Sequence, residues 1–179
     1  MGFQGLNERL AEIRDRIAAA ARRGGHGQSV RIVAVTKTHG PEAVEAAWAA
    51  GLTDVGENKV QEALGKRDAL EAAGRMPAGL RWHLIGHLQS NKVKALARFD
   101  LFHALDRTRL VDEAAAYVER AGVSCDVLVQ VNVVGEESKG GFAPADVAAV
   151  AERLRQHPAL RVRGVMTMAP FDANEAVLR

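Results

Sequence analysis

The sequence predicts an α/β fold built on parallel strands, and three observations carry that expectation. From residue 31 onward, short apolar or β-branched runs alternate with helix-length, Ala-rich segments six times. The strand runs, such as Ile32 to Val35 and Val127 to Val131, show little polar alternation, the pattern of strands covered on both faces and joined by right-handed crossovers. Helix punctuation agrees: Pro41 and Pro144 suit first-turn positions, and Gly51, Gly74 and Gly122 suit C-terminal stops.

Taken in order, Leu6, Leu10, Ile13 and Ile17 recur at spacings of three and four with charges between them, which predicts an amphipathic helix over residues 1–25, stopped at Gly24-Gly25. The repeats then fill 31–179: VRIVAVTK with Pro41 to Ala50, LTDVG with Lys59 to Ala73, and LRWHLIG with Ser90 to Arg98. FDLFHALD with Arg107 to Ala121, CDVLVQVNV with Pro144 to His157, and LRVRGVMTM with a helix from Asp172 complete six βα units. A single domain is expected over 1–179. The pattern leaves both a barrel and a doubly wound sheet open. The absence of a G-x-G-x-x-G or G-x-x-x-x-G-K-[ST] loop weakens only the nucleotide-binding form of the second.

Composition narrows the function classes. With 179 residues, 47% apolar and 26% charged, the chain can bury a sizeable core. The net charge of +2 arises from 24 basic and 22 acidic residues spread along the sequence, so nothing calls for a nucleic-acid partner. Cys125 is the one cysteine; it fits a reducing, cytoplasmic setting without disulfide or zinc. No apolar run reaches signal-peptide or membrane-spanning character, so no membrane partner is expected.

Polar residues gather at the strand ends. Lys37 closes the first strand, Glu57 and Asn58 follow the second, His83 and His87 bracket the third, and Asp106, Asn132 and Thr167 close the next three. In a parallel barrel these positions converge on one rim, where active sites of that architecture are built. Lys37 stands out, because an ammonium following an apolar strand is desolvated and its pKa is expected to fall. A neutral amine is a nucleophile able to form an imine with an aldehyde. The plain alternative is a lysine reaching solvent.

The other candidates are double-edged. Asn58 either orients a ligand hydroxyl or caps the following helix, and Glu57 supplies favourable charge at a helix start. His83, beside Trp82, either stacks on a flat cofactor or is a satisfied core histidine. The glycines around Lys139 in GEESKGGF make a cationic rim loop, and Lys139 is a second lysine to test for transient aldehyde or phosphate capture.

VAVTKTHGPE around Lys37, DVGENKVQEAL around Asn58, LRWHLIGHLQSNK, CDVLVQVNVVGEESKGGF and RVRGVMTMAP together resemble the pyridoxal phosphate homeostasis protein family (YggS/PROSC) over nearly the whole chain. The resemblance implies a TIM-type (β/α) barrel of the alanine racemase N-terminal type, with about six of its eight βα units in this chain. It implies pyridoxal 5'-phosphate (PLP) as cofactor, Lys37 as the PLP-bearing lysine and Asn58 in the same pocket. Members are PLP carriers or regulators of the vitamin B6 pool without established catalysis, monomeric or weakly associating. PLP-dependent apo-enzymes are their expected partners.

The family continues with two further βα units that hold a Ser/Gly-rich cup for the cofactor phosphate, whereas this sequence stops at Arg179. The resemblance therefore implies an open barrel, weakened PLP affinity and self-association through exposed edges. The alternative is a fold-type III PLP enzyme such as an amino-acid racemase, which adds a β-domain and a tyrosine acid/base. Tyr117, the one tyrosine, is expected on a helix away from the rim.

Overall fold

Residues 3–135 and 139–169 are described by a computed structural model of the protein. Strands β1 (Ala34–Val35), β2 (Asp54–Glu57), β3 (Arg81–Leu84), β4 (Leu101–Leu105), β5 (Cys125–Gln130) and β6 (Leu160–Met166) pair in parallel, in sequence order across one sheet. Between them run α2 (Pro41–Ala49), α3 (Val60–Ala72), a 3-10 segment (Ser90–Arg98), α4 (Thr108–Ala121) and α5 (Val147–Arg155), and α1 (Leu6–Gly24) precedes the sheet. Each strand adds to the same edge. With no reversal of strand order, right-handed crossovers place the helices on one face, as in a barrel wall and unlike a doubly wound sheet.

The core lies between that wall and its helices. Val44 and Ala47 of α2, Leu70 of α3, and Leu110, Val111, Ala114 and Val118 of α4 are buried against Val55, Trp82, Leu84, Phe102, Leu105 and Val127. Fully burying side chains of this size contributes about 1.5–3 kcal/mol each, so α4, with five buried positions, is the best-anchored helix. Gly122 ends it in the left-handed region, at φ 64°, where a β-carbon would be strained.

Several expectations shift. Of VRIVAVTK only Ala34 and Val35 are assigned to a strand, pairing with Val55 and Gly56, because β1 has a single neighbour and four-residue β2 limits the rungs. The third connection is 3-10 rather than α-helical; at ~2 Å per residue its nine residues reach about 18 Å, against about 13 Å in an α-helix. Pro144 opens a 3-10 turn, Pro144–Asp146, before α5 begins. Only Leu10 of the α1 stripe is buried, and Ile13 is exposed. The helix expected from Asp172 lies outside the described residues.

At the two edge strands apolar side chains stay open: Val35 is 51% exposed and Val165 64%. Among the described residues no helix is long and apolar enough to cross a membrane, and no group of three or more His, Cys, Asp or Glu could hold a metal ion.

Candidate functional site

All six strands contribute to one cavity of about 400 Å³ at their C-terminal ends. Lys37 enters from the turn after β1, Asn58 from the turn after β2, and Ile85, Gly86 and His87 from the turn after β3. His103 and Ala104 come from β4, Gln130 from the end of β5, and Met166 and Met168 from β6 and just beyond it. Pairing and strand alternation explain the convergence. Gly56 is opposite His83, and His83 is opposite Leu101, so Asp54, Gly56, His83 and His103 share the inner face while Val55, Glu57, Leu84 and Phe102 face the helices.

Lys37 itself is exposed rather than desolvated, but its flanks are fixed. Thr36 donates its hydroxyl to Glu57 Oε1 at 2.6 Å, and Thr36 N donates to Gly56 O at 3.1 Å. Lys66 Nζ, from α3, donates to Thr36 O at 2.8 Å, Glu57 Oε1 at 2.7 Å and Glu62 Oε1 at 2.9 Å. Glu62 in turn accepts from Thr38 N, and the Lys66 hydrogen bond holds its carboxyl below the usual range. Thr38 sits at φ 67°, a left-handed conformation rare for a β-branched residue and typical of functional turns. Lys37 therefore projects from a corner clamped on both sides. Glu57 belongs to this clamp and not to a helix start.

Asn58 lines the cavity and does not cap α3, whose N-cap position is Lys59. Its main chain packs against Gly86, where a β-carbon would come within 2.4 Å of Asn58 O. His87 sits on the rim with Nδ1 2.6 Å from Asp106 Oδ2, and Arg107 holds the other carboxylate oxygen at 2.6 Å. Asp106 is thus engaged with its neighbours.

His83 does not line the cavity. It is 2% exposed, with Nε2 2.9 Å from Asp54 Oδ1 and Nδ1 2.8 Å from His103 Nε2. It lies one layer beneath the cavity, and His103 above it takes the cavity position. Thr167 is exposed and does not line the cavity, whereas half-buried Met166 and exposed Met168 do. Asn132 Oδ1 accepts from Gly135 N at 3.0 Å, closing its own turn. Lys139 is tied by its carbonyl to buried Gln130 Nε2 at 2.7 Å, which anchors the loop; residues 136–138 of that loop lie outside the described residues.

The alanine racemase N-terminal domain family matches residues 9–177. A pyridoxal phosphate homeostasis protein of Pseudomonas aeruginosa is 41% identical over 173 residues, covering 96% of this chain and 73% of that protein. The Aquifex aeolicus protein of the same name is 38% identical over 174 residues, covering 96% and 74%. The chain belongs to the pyridoxal phosphate homeostasis protein family. Among solved structures, PipY of Synechococcus elongatus with PLP bound superposes with a TM-score of 0.76 at 32% identity, covering 95% of this chain and 73% of PipY. The fold is that of the alanine racemase N-terminal barrel, with six of its strands among the described residues.

Within this family fold, His103 and Gln130 are the polar cavity residues that strand-end reasoning missed, with Ile85, Gly86, Ala104, Met166 and Met168 as the apolar ones. His103 lies inside FHALD, within the strand and not at its end. A signal existed: His83, Ile85 and His103 have the same parity once β3 and β4 are in register. That register depends on pairing, which local sequence does not reveal.

Proposed function

We propose that this chain binds PLP in the strand-end cavity as a Schiff base on Lys37, and serves vitamin B6 homeostasis as a carrier or regulator without turnover. The observation that carries this reading is the placement of Lys37 and Asn58 in one cavity with apolar Ile85, Met166 and Met168. The residues fit the group. About 400 Å³ suits a small aromatic ligand, and the close backbone packing of Gly86 on Asn58 fixes the Asn58 turn in the cavity wall.

When bound, the cofactor supplies an aldehyde carbon and an electron-withdrawing ring. Lys37 would hold the group through its side-chain amine, which acts as a nucleophile only in its neutral form. Asn58 offers both a donor and an acceptor to a ring substituent. Exposure of Lys37 leaves that end of the site open to water, which would favour release of the group to PLP-dependent apo-enzymes. The lone Cys125, free and buried, is in keeping with a reducing, cytoplasmic setting.

The racemase alternative needs a second acid/base at the rim. Tyr117 instead lies on α4, packed against the core, and the named relatives are homeostasis proteins. The decisive experiment is incubation with PLP, an absorbance scan for the imine, borohydride reduction and peptide mapping. The label is expected on Lys37 and absent from Lys37→Ala; a label elsewhere overturns the reading. Rapid exchange of an amino-acid α-proton in heavy water, abolished by Lys37→Ala, would overturn the non-enzymatic part.

A further inference from the structure

Three ionisable side chains form a line across the inner face of β2, β3 and β4. Asp54 Oδ1 is 2.9 Å from His83 Nε2, and His83 Nδ1 is 2.8 Å from His103 Nε2. Asp54 and His83 are 1% and 2% exposed, so each proton in the line must be accounted for within it. Asp54 also accepts from Thr53 Oγ1 at 2.6 Å, with Arg31 and Arg81 each 3.5 Å away. Burial alone would raise its pKa, but these hydrogen bonds and charges outweigh that and keep the carboxyl below its ordinary value. Asp54 is therefore an acceptor only.

The rest follows from imidazole valence. With Asp54 ionised, His83 Nε2 must carry a hydrogen. Burial depresses the His83 pKa despite the Asp54 partner, so the ring is neutral and its Nδ1 is a lone pair. That lone pair must accept from His103 Nε2–H. His103 is also held neutral, its pKa pushed down to about 4 by burial and by the neighbouring His83, so its remaining nitrogen, Nδ1, is a lone pair. His103 lines the cavity that contains Lys37, and no partner for Nδ1 occurs among the described residues.

We propose that Asp54 and His83 are positioning residues that fix the tautomer of His103, so that His103 presents a hydrogen-bond acceptor to the cavity and selects a ligand with a ring hydroxyl or protonated ring nitrogen at that point. The ligand half of this inference rests on the PLP reading; the tautomer half does not. The chain is directional. If the carboxylate at its far end is lost, neither histidine has a reason to keep its proton on Nε2, and the acceptor at the cavity gives way to a mixture.

The test is 15N NMR of the histidine-labelled chain without ligand at neutral pH, with PLP titrations of the same protein. His83 and His103 are both expected as Nε2–H tautomers with Nδ1 unprotonated. A cationic His83, or His103 protonated on Nδ1, overturns the proposal without involving any variant. Asp54→Asn, which keeps the shape, is expected to mix the His103 tautomers and weaken PLP binding about three- to tenfold, the size of one neutral hydrogen bond. His103→Phe is expected to weaken binding equally while leaving borohydride labelling of Lys37 possible at higher PLP. If the tautomers are as stated but both variants bind PLP like the parent, the ligand-selecting role is wrong. If the parent binds no PLP, the proposed function fails while the tautomer result stands.

Discussion

Lys66 Nζ lies 2.7 Å from Glu57 Oε1, and the two side chains are 5% and 0% exposed. Their shared partner is Thr36, the residue before Lys37, so α3 reaches through the helix face of the sheet to hold the strand end that bears the amine. A buried pair of this kind is costly to halve, since the survivor is an uncompensated charge. Lys66→Met is expected to lower the unfolding free energy by about 3–5 kcal/mol, measured by urea denaturation. The double variant Lys66→Met with Glu57→Gln should recover part of that loss. A double variant less stable than the single one would mean that the pair's geometry, and not its charge balance, carries the effect.

Gly86→Ala should damage the cavity more than its size suggests. The new β-carbon would meet Asn58 O at 2.4 Å and Asn58 Cα at 2.9 Å, and both are main-chain atoms that cannot rotate away. Overpacking of this sort costs about 1–3 kcal/mol, and relief requires moving the Asn58 turn. Weaker PLP binding together with lower thermal stability is the expected result, read by absorbance titration and by calorimetry. Unchanged binding would place Asn58 outside the ligand's reach.

What was legible in the sequence is what local chemistry determines. Strand and helix alternation, the glycine stop at Gly122 and the position of Lys37 at a strand end all follow from residues within a few positions of one another. The missed features are long-range. Lys66 reads as one more helix-surface lysine, and nothing in QEALGKRD says that it is buried 2.7 Å from Glu57. His83 and His103 are separated by 20 residues, and only the β3–β4 register brings their rings together. The alternation pattern by itself likewise leaves barrel and doubly wound sheet open; the family resemblance points to the barrel, and the sequential strand order agrees with it.

Thr38 holds a left-handed conformation at φ 67° with its amide hydrogen-bonded to Glu62. For a β-branched residue that conformation costs on the order of 1–3 kcal/mol, whereas Asn tolerates it through its short polar side chain. Thr38→Asn is expected to raise stability by up to about 1 kcal/mol, seen as a higher melting temperature, with Lys37 still labelled by PLP and borohydride. Lower stability would show that the threonine methyl or hydroxyl supports the turn by more than its strain costs.

The two inner histidines make stability depend on pH in a defined window. An unfolded histidine takes up its proton near pH 6.5, whereas His103 in the folded protein does so only at about 4, because of burial first and of the neighbouring His83 second. Between those values the unfolded chain binds a proton that the folded one refuses, so unfolding becomes easier as pH falls from about 6.5 to about 4, and this group adds no further loss below that. At ~1.4 kcal/mol per tenfold change in proton affinity, His103 accounts for up to about 3 kcal/mol, less whatever solvent reaches its partly exposed ring. His83, also depressed by burial, acts in the same direction. Asp54 acts oppositely in position: its lowered pKa gives stability that is lost only below the ordinary carboxylate range. Urea midpoints measured from pH 7.5 to 4 should therefore decline more steeply for the parent than for His103→Phe, whose lower starting stability leaves the slope as the quantity to compare. Equal slopes for the two proteins would mean that His103 takes up its proton in the folded state as readily as in the unfolded one.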